Sequence, residues 1–352
     1  MLHNFFRQSP RSSHRKKDYD FGPAGSLPIG EGGSGQVMRA RSKDGRCVAV
    51  KVVRKEAVME HSEYLKILHD GFDRIHDNRN ICCILDWFES SHKYYLVFPL
   101  MTGGELLERL NTRGRFTEEA VKRIMLRILD TLSFIHSHGI IHRDIKPDNF
   151  LYRSEDSAID DVVLIDFGIS KILDKNQEGT TDPKTQIEVA GTPGYAAPEV
   201  FLKTGYGKNQ DVFGVGVIAY NLLSASTPWR SRGYADLIRE SMRAEVDFPP
   251  GPFRGVSEQA ILFVKYLMQP DPHARPSSAQ ALDHPWLTSR QTQPSAARRI
   301  PTGIREEAEE HHSPSSPEDV LGRTPVEPVS TLKPDHPVAR QITAIGVEAI
   351  RE

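Results

Sequence analysis

The chain has 352 residues, 38% of them hydrophobic and 26% charged, with a formal net charge of −2. That length allows two compact units or one large domain with tails, and the composition is that of an ordinary globular protein. The near-neutral balance gives no argument for nucleic acid as a partner, no apolar run approaches the roughly 18 residues needed to span a bilayer, and three cysteines, Cys47, Cys82 and Cys83, form neither a disulfide framework nor a zinc spacing.

Residues 1–18 are polar and basic without an apolar period. The apolar part of MLHNFFRQSPRSSHRKK is too short for a signal-peptide core, and its basic residues follow rather than precede it. This segment reads as a solvated tail, with a membrane-surface tether or a nuclear-import patch as alternatives. The cysteine usage points to a reducing compartment, cytoplasmic or nuclear.

Residues 19–53 alternate short β-rich runs with glycine, and RCVAVKVV at 46–53 and YYLVF at 94–98 have strand composition. At Thr117 the character changes. Thr117 sits where an N-cap belongs, and Glu118 and Glu119 fall in the first turn, where the helix dipole favours acids. Val121, Ile124, Met125, Ile128, Leu129, Leu132 and Ile135 then recur at helical spacing up to Gly139, a natural stop. Helical patterns return over 211–223 and 257–268. Past Trp286 the chain turns Pro-rich, with eight of its 24 prolines beyond residue 290, and such a segment is expected to remain mostly disordered.

The stretch Gly30-Glu31-Gly32-Gly33-Ser34-Gly35-Gln36-Val37 fits G-x-G-x-x-G-x-V. Glycines let a backbone approach phosphate oxygens and point N–H groups at them, although dinucleotide folds and ordinary turns share this spacing. A dinucleotide fold would continue into a helix. Here a second strand follows and carries Lys51 among Val48, Ala49, Val50 and Val52, where a lone charge needs a partner. A glycine-rich hairpin over phosphates, with Lys51 as their cation, fits that context.

The strongest cluster is Ile141-His142-Arg143-Asp144-Ile145-Lys146-Pro147-Asp148-Asn149-Phe150, followed by Ile165-Asp166-Phe167-Gly168. Phosphoryl transfer to an alcohol needs a carboxylate for the hydroxyl, hard oxygen ligands for Mg²⁺ and cations for the transferring group. Asp144 suits the first role, Asn149 and Asp166 the second, and Lys146 and Lys51 the third. Each residue alone would read as a capped turn or a surface charge.

In this order and spacing the chain resembles the eukaryotic protein kinase family over about residues 19–287. The resemblance rests on the glycine loop, VAVK at 48–51, HRDIKPDN at 142–149, DFG at 166–168, Ala197-Pro198-Glu199, Asp211 and Arg275. It implies an α+β, two-lobed kinase fold, with a small antiparallel β-sheet lobe holding one helix (19–101) and a larger, mainly α-helical lobe (102–287), flanked by tails at 1–18 and 288–352. It implies ATP and Mg²⁺ as cofactors, and an ATP site of Ile29, Gly30, Glu31, Gly32, Gly33, Ser34, Gly35, Gln36, Val37, Ala49, Lys51 and Leu151. Asp144 and Lys146 become the catalytic pair, and Asn149 and Asp166 the metal ligands. Phe98 resembles a gate residue, residues 99–101 a hinge, and His142 and Phe167 parts of an internal apolar spine. Glu199 and Arg275 are expected to form a buried ion pair.

Lys146 and Gly191-Thr192-Pro193-Gly194-Tyr195 match the serine/threonine pattern. Thr102-Gly103-Gly104-Glu105-Leu106 and DHPWL at 283–287 resemble the calcium/calmodulin-dependent kinase group, in which residues such as Glu105 and Asp148 read a basic residue upstream of the acceptor. Protein substrates are the expected partners of a monomer. Calmodulin is not predicted: Arg298, Arg299 and Arg305 are interrupted by Pro294 and Pro301 and followed by acids, unlike a basic amphipathic target helix. A pseudokinase scaffold is the alternative, although Lys51, Asp144 and Asp166 are all present, and the GTPGY and APE elements disfavour a small-molecule phosphotransferase.

The pattern departs from the family in two places. A helix glutamate should pair with Lys51 some 17 to 19 residues later, where this chain has Leu68, His69 and Asp70, with Glu63 earlier. Glu188, four residues before Thr192, is expected to stand partly in for a phosphate against Arg143. Thr180, Thr181 and Thr185 offer further hydroxyls in that segment, and Ser313, Ser316 and Thr324 precede prolines in the tail.

Overall fold

The computed structural model describes residues 16–23, 26–32, 35–58, 61–173, 190–204, 207–231 and 233–289. Glu188, the threonines at 180, 181 and 185, and the tail Ser-Pro and Thr-Pro sites lie outside them, as do Gly33 and Ser34.

The first lobe is an antiparallel sheet. Strands β1 (Tyr19–Asp20), β2 (Gly30–Gly32), β3 (Gly35–Ser42), β4 (Cys47–Arg54), β5 (Asp86–Glu89) and β6 (Lys93–Pro99) lie in the order β1-β3-β4-β6-β5, with β2 also on β3. The period of two in β4 explains its layering. Val48 and Val50 point to one face, into a small core with Ala40, Phe88, Tyr95 and Val97. Ala49, Lys51 and Val53 therefore point to the other, opposite Phe98, Leu96 and Tyr94 of β6. Lys51 thus emerges on the face turned toward the large lobe.

On that face lies a helical run in three parts: α1 (His61–Lys66), a π-helical segment Ile67–Gly71, and α2 (Phe72–Ile75). A π turn carries an extra residue and rotates everything after it relative to an α-helix.

The large lobe contains helices α3 (Leu106–Arg113), α4 (Glu118–Ser137), α5 (Pro198–Leu202), α6 (Asn209–Ser224), α7 (Tyr234–Arg243), α8 (Glu258–Leu267), α9 (Ser278–Leu282) and α10 (Pro285–Thr288). The seven apolar residues read as one face of α4 are all buried. Thr117 caps this helix by accepting from Ala120 N–H, and Gly139 follows it at φ +74°, which glycine adopts without steric cost. Glu118 accepts from Ser257 and from Trp286 Nε1, tying the start of α4 to α8 and α10. Helix α6 is buried nearly all round and packs on α4 and α8. Two short sheets, β7 (Ile140–Ile141) with β10 (Lys171–Ile172) and β8 (Phe150–Tyr152) with β9 (Val162–Leu164), carry the loops between the lobes. No described helix is long and apolar enough to cross a membrane.

Candidate active site

The loop between β7 and β8 holds residues 142–149, and its shape is imposed from beneath. Asp211 on α6, 2% exposed, accepts from the backbone N–H groups of His142 and Arg143 at 2.9 and 2.8 Å, and meets His136 Nε2 at 2.9 Å. Arg143 adopts φ +69°, unusual for a residue with a side chain. The two hydrogen bonds to one carboxylate hold the backbone there.

Above this anchor, three side chains converge on Asp144. Lys146 Nζ lies 2.8 Å from Asp144 Oδ2. Thr192 Oγ1 donates to Asp144 Oδ1 at 2.6 Å and accepts from Lys146 Nζ at 2.7 Å. Asn149 Nδ2 donates to the Asp144 carbonyl at 2.7 Å and to Oδ2 at 3.0 Å. Burial alone would lower the Lys146 pKa, but the Asp144 carboxylate outweighs it and raises that pKa above its ordinary value. The cluster can hold an acceptor hydroxyl at Asp144 with a fixed cation beside it.

Asp166 faces this group with φ +63°. Its Oδ1 accepts from Lys51 Nζ at 2.5 Å and from Gly168 N–H at 3.1 Å. Burial would push this carboxyl up; the Lys51 ammonium and the backbone donor hold it below the usual range. Phe167 packs edge-on against His142, ring centroids 4.9 Å apart, and against Phe72 of α2 at 5.3 Å. Phe72 in turn meets Phe98 at 6.2 Å. The sequence reading named His142, Phe167 and Phe98 but missed Phe72, because the π turn displaces it from simple helical spacing.

The glycine segment forms a β2–β3 hairpin, with Gly30 opposite Val37, Glu31 opposite Gln36 and Gly32 opposite Gly35. Gln36 Nε2 donates to Glu31 Oε1 at 3.0 Å across it. Gly35, at φ +141°, tolerates no side chain, since a Cβ there would stand 2.2 Å from the Val52 carbonyl oxygen. Ile29 is exposed at the hairpin's base. Val37, Ala49 and Leu151 are half-buried, as are Phe98 and the residues at 99–101. Incompletely covered apolar groups on both lobes suit a flat ring between them.

Neither acid expected near Lys51 reaches it. Asp70 lies in the π segment and faces solvent, Glu63 is half-buried with no ion pair among the described residues, and Leu68 is buried in the apolar core. Among the described residues Asp166 is the acid paired with Lys51.

Next to the Asp144 cluster is a second acidic group. Asp148 Oδ2 is buried without a hydrogen-bond partner among the described residues, and burial pushes its carboxyl up. Partial burial, then the charges of Asp148 and Glu108, push Glu105 up to about 7. Glu105 still presents a surface to solvent. In the large lobe, Arg275 clasps Glu199 with two bonds of 2.6 and 3.0 Å, both side chains essentially inaccessible.

Comparison with known proteins agrees with this architecture. Residues 26–287 match the protein kinase domain family. Calcium/calmodulin-dependent protein kinase cmkA of Emericella nidulans is 39% identical over 288 residues, which span 81% of this chain and 66% of that protein. A calcium/calmodulin-dependent protein kinase of Metarhizium anisopliae is 37% identical over 82% of this chain and 72% of its own length. The type 1 enzyme of Caenorhabditis elegans is 34% identical over 80% and 77%. The chain therefore belongs to the eukaryotic protein kinase family, as an ATP-dependent protein serine/threonine kinase similar to the calcium/calmodulin-dependent group.

Proposed function

We propose that this kinase transfers the γ-phosphate of ATP to Ser or Thr hydroxyls that have Arg or Lys a few residues upstream. In this reading Asp144 orients the acceptor hydroxyl and receives its proton, while Lys146 neutralises charge on the transferring group. The β2–β3 hairpin covers the phosphates and Lys51 binds them, with Ile29, Val37, Ala49 and Leu151 around the adenine. Asn149 and Asp166 fit Mg²⁺. Asn149 uses its amide nitrogen on Asp144, which leaves its carbonyl oxygen as an acceptor, and Asp166 uses Oδ1 internally, which leaves Oδ2. Hard oxygens of this kind, with phosphates and water, are what Mg²⁺ takes, and the ion would neutralise phosphate charge.

The observation that supports the basic preference is the group formed by Asp148 and Glu105. Lys146, the described cation that acts on both carboxyls, is engaged with Asp144 and Thr192. A guanidinium or ammonium from a substrate would favour the ionised form of both carboxyls, offsetting the burial that raises them and, at Glu105, the charge of Asp148. A peptide library scored for basic residues before the phosphoacceptor tests this. A three- to tenfold or greater preference is expected, about the size of one partly exposed charge-assisted bond, and a flat profile would remove the specificity claim.

The relatives' names raise calmodulin as a partner. The proline-interrupted, acid-rich composition after Leu287 favours activity without it, and that segment lies outside the described residues.

A further inference from the structure

Tyr64 lies on the helix that faces Lys51, and among the described residues no acid of that helix pairs with the lysine. Tyr64 is on α1, the helix laid across the Lys51 face of the sheet, and is 7% exposed. Its ring packs on Tyr94 with centroids 5.3 Å apart. Tyr94 pairs with Val53, two residues from Lys51, and Lys51 itself pairs with Leu96, so Tyr94 and Lys51 lie on one face. Tyr64 therefore packs on the strand pair that presents the lysine. Its hydroxyl is buried and makes no hydrogen bond among the described residues. Burial raises its pKa, and the Asp166 charge adds to this, so the group stays neutral and stands within the electrostatic reach of that carboxylate.

An unsatisfied buried hydroxyl is destabilising, and phenylalanine would fill the same volume without it. Lys51, meanwhile, relies on Asp166, the carboxylate that also fits the metal. Among the described residues neither Glu63 nor Asp70 pairs with Lys51.

We infer that Tyr64 is a positioning residue for Lys51: its hydroxyl oxygen accepts from the Lys51 ammonium when the lysine turns from Asp166 to nucleotide phosphate. A neutral acceptor orients the lysine without competing for its charge. This rests on the nucleotide reading of Lys51 given above.

The test uses the full chain and four proteins: wild type, Tyr64→Phe, Lys51→Met, and the double variant. Thermal melting without nucleotide is expected to leave Tyr64→Phe as stable as wild type or more so, because only an unpartnered hydroxyl is removed. Calorimetric Mg-ATP affinity is expected to fall about tenfold on Tyr64→Phe in the wild-type background and to be unchanged by it in the Lys51→Met background. An equal loss in both backgrounds, no loss in the first, or a fall in melting temperature matching the loss of affinity would overturn the assignment. Because binding is read without peptide, failure of the substrate reading shows separately, as wild type that binds nucleotide but phosphorylates no basic peptide.

Discussion

Thr192 donates its hydroxyl hydrogen to Asp144 at 2.6 Å while the same oxygen receives Lys146 at 2.7 Å. One threonine thus ties the GTPGY segment to the proposed catalytic carboxylate and to its cation at once, and the carboxylate's second oxygen is occupied by Lys146 and Asn149.

Thr192→Ala removes both bonds without changing the core. A hydrogen bond to a charged group contributes about 1.5–3 kcal/mol, so kcat is expected to fall roughly 10- to 100-fold, while Thr192→Ser retains most activity. Steady-state kinetics with a basic peptide checks this. An alanine variant with wild-type kcat would show that the hydroxyl is a bystander.

The Glu199–Arg275 pair belongs to stability. Arg275 also donates to the carbonyl oxygens of Gln269 and Asn209, so removing it orphans several acceptors as well as a buried carboxylate. Breaking a buried pair from one side costs roughly 3–5 kcal/mol. Arg275→Met is expected to lower the melting temperature by about 6 °C or more. A variant that melts with wild type but has lost activity would move this pair from folding to chemistry.

Glu105 gives a pH signature. Its folded pKa is raised, from the usual 4.5 to about 7. Whatever stability that shift contributes is present below 4.5 and is lost as pH rises through about 7, so Glu105→Gln should be no less stable than wild type at pH 8. Cation binding needs the ionised form. The KM for a peptide with an upstream arginine is therefore expected to fall as pH rises from about 6 to 8, and to be flat over that range in Glu105→Gln. A parallel fall in both proteins would assign the titration elsewhere.

Calcium-loaded calmodulin is expected to leave the activity of the full chain unchanged within about twofold, since two proline-interrupted arginine clusters do not make a basic amphipathic helix. A larger stimulation, lost on truncation after Leu287, would contradict that reading.

The sequence was most informative where the partners are contiguous. Residues 142–149 and 166–168 carry their chemistry in unbroken runs, and the α4 face repeats with the helical period, so both the loop and its supporting helix were legible. The grip of Asp211 was not, because its acceptors meet backbone N–H groups 68 and 69 residues away and backbone leaves no mark in side-chain spacing. The π turn at Ile67–Gly71 hid more. Counting forward from Lys51 assumes an unbroken α-helix, and the turn rotates Asp70 to solvent and brings Phe72 onto Phe167. Tyr64 escaped because an aromatic at that position reads as core, and only its unpartnered hydroxyl sets it apart.

The central claim concerns Asp144. The direct measurement is phosphate transfer from Mg-ATP to a peptide with an upstream arginine, comparing wild type with Asp144→Asn, which preserves size and most hydrogen bonds but cannot take a proton. A loss of about 10²-fold or more in kcat is expected, the contribution of a positioned general base, with nucleotide affinity unchanged. Equal phosphorylation by the two proteins would contradict it.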